Sequence, residues 1–216
     1  MAKNLKNPGI VLALDEDNEE IIKVKVKKIL RYIEAIKVGY PLVLSMGMKV
    51  IKKLSSYKPV IADFKIADVP HIASKLAEAA FEWGASAVIS HGFTGSDSVK
   101  AVLEVASKYD GEVYVVTELS SPGGREFMAG VSEEIAEMAK KIGCHGIIAP
   151  ATRPERIKRF REIVGNLKIF SPGVGVQGGN ARETIEAGAD FLIVGRSIYE
   201  GDVERNIKDI LRTIKI

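Results

Sequence analysis

The stretch TIEAGADFLIVG, residues 184–195, joins the end of an amphipathic segment to a short apolar run through a single glycine, Gly188. The same arrangement recurs in FEWGASAVIS (81–90) and in AKKIGCHGIIAP (139–150). Glycine is favoured directly after a helix because it adopts the left-handed backbone conformation at little cost. Each junction therefore predicts a helix that ends near its glycine and is followed closely by a β-strand.

Eight short runs rich in β-branched residues recur along the chain, and the segments between them carry apolar residues three or four positions apart. Alternating strands and helices predict a parallel sheet. Eight such units within 216 residues predict an α/β fold of the (β/α)8 TIM-barrel class, forming a single domain over residues 1–216. The sequence ALDEDNEE after the first run lacks the Gly-x-Gly-x-x-Gly pattern of a dinucleotide-binding fold. The eight runs are IVLALD (10–15), EAIKVG (34–39), PVIADFK (59–65), SAVISHG (86–92), VYVVTE (113–118), GIIAP (146–150), KIFSPG (168–173) and DFLIVG (190–195).

The composition argues against several classes of protein. The formal net charge of +3 is mild, and no basic cluster is dense enough to indicate a nucleic-acid-binding surface. Cys144 is the only cysteine, so no intramolecular disulfide can form, and with His145 it supplies too few ligands for a zinc site. The N-terminus lacks the apolar core of a signal peptide, and no apolar run approaches the ~18 residues of a membrane span. We expect a soluble, cytoplasmic protein that binds neither nucleic acid nor a membrane.

Polar side chains stand at the ends of most predicted strands, although the residues before them are almost wholly apolar. In a (β/α)8 barrel the active site forms at the C-terminal ends of the strands. Approach to solvent could explain any one of these polar residues, but it explains poorly why so many strands end in this way. We therefore expect a functional site at this rim. The polar residues at or just beyond the strand ends are Asp15, Lys37, Asp63, Lys65, Asp68, His91, Ser120, Gln177 and Arg196, of which His91 is interpreted as a packing residue.

The last two predicted loops have the composition of a phosphate-binding site. SPGVGVQGG (171–179) is rich in glycine and can bring backbone N–H groups close to an anion. IVGRSIYEG (193–201) places Gly195 and Arg196 at a strand end, directly before a helix. Backbone amides at a helix N-terminus attract phosphate, arginine binds it through two hydrogen bonds, and barrels often use these two loops for that purpose. We expect a phosphate monoester to bind here; the alternative is that the glycines serve only as tight turns.

IADFKIADVPHIAS (61–74) carries Asp63, Lys65 and Asp68 beside an apolar run. Asp63 and Lys65 are two positions apart, so a pleated strand points both side chains to one face. Two like charges ~4 Å apart repel by roughly 4 kcal/mol at an effective dielectric constant near 20. An array of alternating sign, with Lys37 added from strand 2, offsets that repulsion. A fixed ammonium group can stabilise negative charge that develops on carbon and then protonate it. A structural network of salt bridges is the alternative interpretation.

These motifs resemble the orotidine 5′-phosphate decarboxylase family in its compact microbial form, and the resemblance covers almost the whole chain. DFKIADVP (63–70) is typical of a wider decarboxylase suprafamily, and IKVGYPLVLSMG (36–47) together with SPGVGVQGG narrows the resemblance to this family. The other matching segments are LALD (12–15), SHGFTGSDSV (90–99), TELSSPGG (117–124), ATRPERI (151–157) and IVGRSIY (193–199).

The resemblance implies a homodimeric barrel that converts orotidine 5′-monophosphate to UMP and carbon dioxide without a metal ion or an organic cofactor. It implies that Lys65 protonates C6 of the pyrimidine as carbon dioxide leaves, that Asp63 lies against the substrate carboxylate, and that Asp68 joins the array from the neighbouring subunit. The implied substrate contacts are Asp15 and Lys37 for the ribose hydroxyls, Ser120 for the pyrimidine, Pro172 as a further contact, and Gln177, Gly195 and Arg196 for the phosphate. Ile72 departs from the family pattern, because a hydroxyl residue often stands at this position and reaches the partner's substrate.

Two alternative functions stay open from the sequence. The 3-keto-L-gulonate 6-phosphate decarboxylases and hexulose phosphate synthases share the Asp-x-Lys-x-x-Asp signature but stabilise an enediolate with Mg²⁺. Their second strand ends in an acidic residue that helps to bind the metal, whereas this chain has Lys37 at that position, and a cation there repels a divalent metal ion. A non-catalytic phosphate-binding barrel would keep Arg196 and the glycine-rich loops but would not need Lys65 between two aspartates.

Overall fold

The computed structural model describes residues 9–15 and 22–214. Eight parallel strands form a closed barrel in which each strand pairs with the next and the last pairs with the first. The predicted (β/α)8 class is therefore confirmed, and each predicted run overlaps one strand. That residues 1–216 form a single domain stays a prediction. The strands are β1 (Gly9–Leu14), β2 (Ala35–Gly39), β3 (Val60–Ile66), β4 (Ala87–His91), β5 (Glu112–Val116), β6 (Gly146–Ile148), β7 (Lys168–Pro172) and β8 (Phe191–Val194).

Helices connect the strands and bury their apolar faces against the outward face of the sheet. Between β1 and β2, a π-helical segment (Ile22–Val26) leads into α1 (Lys27–Ile29) and a 3₁₀ turn (Leu30–Tyr32). A second 3₁₀ turn, Gly92–Thr94, follows β4. The other helices are α2 (Tyr40–Met46), α3 (Lys49–Ser55), α4 (Pro70–Glu82), α5 (Ser96–Lys108), α6 (Gly124–Phe127), α7 (Ser132–Lys141), α8 (Pro154–Val164), α9 (Ala181–Glu186), α10 (Arg196–Tyr199) and α11 (Val203–Ile214).

The three glycine junctions end their helices as predicted. Gly84, Gly143 and Gly188 have φ angles of +91°, +82° and +110°, which a residue with a side chain adopts only with strain. After each glycine, the next backbone N–H turns back and donates to the carbonyl five residues earlier, at 2.9–3.2 Å. This closing hydrogen bond satisfies a carbonyl that the end of the helix leaves without a partner. The chain then enters the next strand within three residues.

Side chains alternate between two apolar cores along each strand. In β1, Ile10, Leu12 and Leu14 face the helices, whereas Val11 and Ala13 face the barrel interior. Three aromatic rings, those of Tyr114, Phe170 and Phe191, stack in the interior with centroids 4.2 and 4.8 Å apart. The polar side chains stand beyond this apolar filling, at inward positions near the C-terminal ends of the strands.

Within residues 9–15 and 22–214, no helix combines the length and the apolar character that crossing a bilayer requires. The cytoplasmic location stays a prediction.

Candidate active site

A cavity of about 260 Å³ opens at the C-terminal ends of the strands. Its apolar wall comes from inward residues of five strands: Ala13, Ile89, Val116, Ile148 and Ile193. Nine residues predicted to form the site line this cavity together: Asp15, Lys37, Asp63, Lys65, Ser120, Pro172, Gln177, Gly195 and Arg196. Elements separated by up to 181 residues therefore converge on one pocket, because every strand of a parallel barrel ends on the same face.

Two of the polar residues at the strand ends lie outside this cavity in the chain's own barrel. Asp68 is exposed and does not line the cavity; its Oδ1 accepts a hydrogen bond from the backbone N–H of Val69 at 2.7 Å, and its carbonyl accepts one from Ser98 Oγ at 2.7 Å. His91 is also outside the cavity, with its ring 4.7 Å from that of Phe93. Neither side chain therefore belongs to the cavity of its own chain. A contribution of Asp68 to another subunit's site stays a prediction.

The charged array is built around the Asp63 carboxylate. Lys37 Nζ lies 2.8 Å from Asp63 Oδ2, and Lys65 Nζ lies 2.9 Å from each Asp63 oxygen. Lys37 Nζ is also 3.6 Å from Asp15 Oδ1. Asp63 and Lys37 are buried, whereas the Lys65 side chain is 43% exposed and faces the cavity. One carboxylate thus holds two ammonium groups, of which one is fixed in the wall and the other is accessible from the pocket.

The charges of this array are mutually maintained. Burial raises the pKa of the Asp63 carboxyl, but the ammonium groups of Lys37 and Lys65 more than offset this effect, so its pKa lies below the usual value. Burial likewise lowers the pKa of Lys37, and the carboxylates of Asp63 and Asp15 reverse the shift, so the net pKa is raised. Asp63 and Lys37 are therefore both ionised at neutral pH, because each favours the charged form of the other.

Strand β3 is irregular where it presents this array. Its pairing with β4 shifts between Ala62 and Ile66, and Lys65 has a φ of +41°. A left-handed backbone at a residue with a side chain costs of order 1–3 kcal/mol and is most often kept at functional sites. A regular pleat would also have placed Asp63 and Lys65 on one face, as predicted, but the bulge sets the angle at which the two side chains meet.

Two side chains that the sequence did not indicate hold this irregular segment. Tyr40 Oη donates to the Phe64 carbonyl at 2.6 Å, and the Tyr40 ring stacks on that of Phe64. Ser90 Oγ donates to the Ile66 carbonyl at 3.0 Å. These bonds fix the backbone on both sides of Lys65. Tyr40 belongs to the IKVGYPL motif, so its presence was visible in the sequence, but its hydrogen-bond partner was not.

The opposite side of the cavity presents hydrogen-bond donors and an unpaired cation. Ser120 Oγ donates to Gln177 Oε1 at 2.8 Å, which joins the loop after β5 to the loop after β7. Arg196 begins α10 and lines the cavity. Among the residues that the structure describes, no carboxylate lies within ion-pair distance of its guanidinium. In contrast to Lys37 and Lys65, Arg196 has no acidic partner among the described residues and can bind an anion.

The glycine-rich loop after β7 lies close to Arg196. Gly175 has a φ of +78°, and a Cβ there would collide with Ser197 Oγ, so only glycine fits. The Val176 N–H donates to the same oxygen at 3.3 Å. The loop and the start of α10 are therefore packed together, as a phosphate site built from both would require.

A buried acidic residue, Glu118, also lines the cavity and was missed in the sequence. It follows β5 and forms ion pairs with Arg153 and Arg156 from the segment after β6. The signal that could have indicated Glu118 is its position as a glutamate at the end of the apolar run VYVVTE. Its partners lie 35 and 38 residues away, and only the barrel topology brings them together.

The described part of the chain contains no group of three or more His, Cys, Asp or Glu side chains placed to hold a metal ion. The two carboxylates of the array, Asp15 and Asp63, both face Lys37 Nζ. The ammonium group therefore stands between the two acidic side chains that a divalent ion would need.

Comparison with known proteins gives a consistent result. The model of the Orotidine 5'-phosphate decarboxylase / HUMPS family matches residues 8–209. The orotidine 5′-phosphate decarboxylase of Methanosarcina mazei is 51% identical over 199 residues, which are 91% of this chain and 90% of that protein. The protein of the same name from Methanocaldococcus jannaschii is 45% identical over 198 residues, which are 89% of this chain and 92% of the relative.

Solved structures agree with these relatives. The structure of orotidine 5′-monophosphate decarboxylase from M. jannaschii complexed with the inhibitor BMP superposes with a TM-score of 0.92 at 41% identity, covering 97% of this chain and 100% of that chain. The orotidine 5′-phosphate decarboxylase from Pyrococcus horikoshii superposes with a TM-score of 0.88 at 41% identity, covering 96% and 99%. The similarity covers almost the whole chain, and the residues that the family model matches, 8–209, include all eight strands.

Proposed function

The chain belongs to the orotidine 5′-phosphate decarboxylase / HUMPS family, and we propose that it decarboxylates orotidine 5′-monophosphate to UMP and carbon dioxide in pyrimidine biosynthesis. The observation that carries this proposal is the Lys37–Asp63–Lys65 array, which stands in the same cavity as the unpaired Arg196. The substrate has a matching distribution of groups, with a carboxylate on the pyrimidine at one end and a phosphate at the other.

In the proposed reaction the bond between C6 and the carboxylate breaks, and its electron pair stays on C6. The ammonium groups of Lys65 and Lys37 stabilise this negative charge, and Lys65 Nζ then transfers a proton to C6. Water returns a proton to Lys65, whose side chain is 43% exposed. Asp63, ionised between the two lysines, lies against the substrate carboxylate and repels it until carbon dioxide departs.

The remaining cavity residues bind the nucleotide in this proposal. Asp15 and Lys37 contact the ribose hydroxyls, Ser120 contacts the pyrimidine with Pro172 beside it, and Gln177, Gly195 and Arg196 contact the phosphate. Binding energy at the phosphate, far from C6, can be used to hold the pyrimidine against the charged array, and so it raises the rate at C6.

We propose that the reaction needs no metal ion or organic cofactor, which separates it from the Mg²⁺-dependent members of the suprafamily. The position of the Lys37 ammonium between Asp15 and Asp63 supports this choice, because a divalent cation there would be repelled. Loss of the ultraviolet absorbance of orotidine 5′-monophosphate is expected to proceed at the same rate with and without EDTA. Turnover that disappears with EDTA and returns with Mg²⁺ would contradict the metal-free mechanism. No turnover under either condition would favour the non-catalytic phosphate-binding barrel.

We further propose that the protein is a homodimer. Large apolar side chains are exposed on three consecutive units of the barrel, after β2, β3 and β4: Tyr40, Leu44, Val69, Ile72 and Phe93. Exposed apolar residues that cluster on one side of a protein commonly mark an interface. Asp68 lies beside Val69 on this surface, where its carboxylate could enter the partner's cavity. Ile72 lies there too and has no hydroxyl group for the contact that the family resemblance implies at this position.

Mixing two inactive variants tests whether Asp68 acts across the interface. We expect Lys65→Ala and Asp68→Ala homodimers each to be nearly inactive. In a heterodimer, one site combines Lys65 from one subunit with Asp68 from the other and is intact. After unfolding and refolding together, the mixture should regain about a quarter of the parent's specific activity, since half the dimers are mixed and each has one good site. A mixture as inactive as its components would place Asp68 in its own subunit's site.

A further inference from the structure

A second buried ion pair lies beside the cavity and has no part in the reaction proposed above. Glu118 is wholly buried, and Arg153, which directly precedes α8, is 5% exposed. Arg153 Nε lies 2.6 Å from Glu118 Oε1, and Arg156 Nε lies 3.2 Å from Glu118 Oε2. Each oxygen of the Glu118 carboxylate thus faces one guanidinium group.

Arg153 also reaches the backbone of the cavity wall. Its Nη2 donates a hydrogen bond to the Leu119 carbonyl, and the neighbouring Thr152 Oγ1 donates one to the Ser120 carbonyl at 3.0 Å. All three residues from 118 to 120 line the cavity, whereas Arg153 does not. The segment after β6 therefore holds the segment after β5 at every residue from Glu118 to Ser120.

Stability alone does not account for this arrangement. Removing two charges from water costs several kcal/mol each, and a buried ion pair is often no more stabilising than apolar side chains of the same volume. The contacts of a guanidinium, unlike those of an apolar side chain, are directional, because its planar donors can bind two acceptors in a fixed geometry. Here Arg153 donates its hydrogen bond to the Leu119 carbonyl and forms its ion pair with the Glu118 carboxylate, and both groups belong to the same cavity segment.

We infer that Arg153 is a positioning residue that holds Ser120 in place through the Glu118 carboxylate and the Leu119 carbonyl. This inference rests on the proposed function, in which Ser120 contacts the pyrimidine. Ser120 Oγ is also bonded to Gln177, so a shift of this segment would move both side chains relative to the substrate. A misplacement of about 1 Å near reacting groups can cost about 10²-fold in rate.

The Arg153→Met variant tests this inference, since methionine keeps much of the apolar stem and removes the guanidinium. We expect kcat/KM for orotidine 5′-monophosphate to fall by about 10²-fold. Arg159→Met is the matched control: Arg159 lies on α8, is half exposed, and among the described residues forms its ion pairs with Glu133 and Glu162. Its kcat/KM should equal that of the parent. A parent-like kcat/KM for Arg153→Met would overturn the inference.

A double-mutant cycle separates positioning of Ser120 from a general loss of stability. If Arg153 acts through Ser120, the Arg153→Met substitution should cost less than about 3-fold in a Ser120→Ala background, because coupled residues are not additive. Equal losses in both backgrounds would assign Arg153 a purely structural role.

The charge left on Glu118 could prevent the Arg153→Met variant from folding. The Glu118→Gln/Arg153→Met double variant leaves neither member of the pair charged and still lacks the bond to the Leu119 carbonyl. We expect it to fold and to show the same loss of kcat/KM, and a parent-like value would again overturn the inference. An inactive parent would instead refute the proposed function. Failure of the inference about Arg153 and failure of the proposed function are therefore distinguishable.

Discussion

The Lys65→Ala variant is expected to lose at least about 10⁴-fold in turnover and still to bind UMP. The substitution removes the ammonium group that Asp63 holds 2.9 Å from both its oxygens, and with it the proposed proton donor to C6. UMP carries no negative charge on carbon, and its proposed contacts with Ser120 and Arg196 do not involve Lys65. A long ultraviolet time course measures the turnover, and titration calorimetry with UMP measures the affinity.

The Lys65→Arg variant shows which property of Lys65 matters. Lys65→Arg keeps a positive charge but cannot donate a proton, because arginine is not deprotonated in proteins. We expect it to stay nearly inactive, whereas recovery of turnover would assign Lys65 an electrostatic role only. Turnover by Lys65→Ala within tenfold of the parent would refute the proton-donor role.

Arg196→Ala, at the other end of the cavity, should raise KM by about 10- to 150-fold, the loss expected for a charged hydrogen bond.

The architecture of this barrel was predictable because local signals and the global fold agree. Gly84, Gly143 and Gly188 terminate helices through their own backbone preference, which depends on no distant residue. The strand runs are apolar on both faces, because the sheet is buried between an inner core and a layer of helices. The segment KVKVKK (23–28) shows the limit of such signals: lysine and valine alternate along it, yet the structure places its first four residues in a π-helical segment with Val26 buried.

The residues of the site were predictable, but their contacts were not. A polar residue at a strand end is visible in one sequence, and the barrel topology implies that such ends meet. The left-handed backbone at Lys65 was not visible, since lysine rarely adopts it and the surrounding structure enforces it through Tyr40 and Ser90. The pairing of Glu118 with Arg153 depends on how the loops after β5 and β6 lie side by side, which no local pattern encodes.

The Asp63→Asn variant is expected to lose at least about 10²-fold in kcat/KM, because Lys65 loses the carboxylate that orients it. It should also be less stable by about 3–5 kcal/mol at neutral pH, the cost of breaking a buried ion pair by removing one partner. Lys37 would keep only Asp15, whose carboxylate is half exposed and 3.6 Å away. Urea unfolding of the parent and the variant measures this difference in the free energy of unfolding.

The loss of stability caused by Asp63→Asn should depend on pH in a defined direction. The pKa of Asp63 is lowered in the folded protein, so its stabilising contribution is present above about pH 4 and is lost as the pH falls through the folded pKa. The pKa of Lys37 is raised, so its contribution is present below about pH 10.4 and is lost as the pH rises through the folded pKa. The destabilisation caused by Asp63→Asn should therefore be greatest between these limits, and the difference in the free energy of unfolding should become smaller below and above them.

Asp209→Asn is the matched control, since Asp209 pairs with Arg212 at 2.9 Å on an exposed face of α11 and should contribute less than about 1 kcal/mol. A difference of that small size for Asp63→Asn, which also stays constant below about pH 4 and above about pH 10.4, would show that the array does not hold its charges in the way the geometry requires.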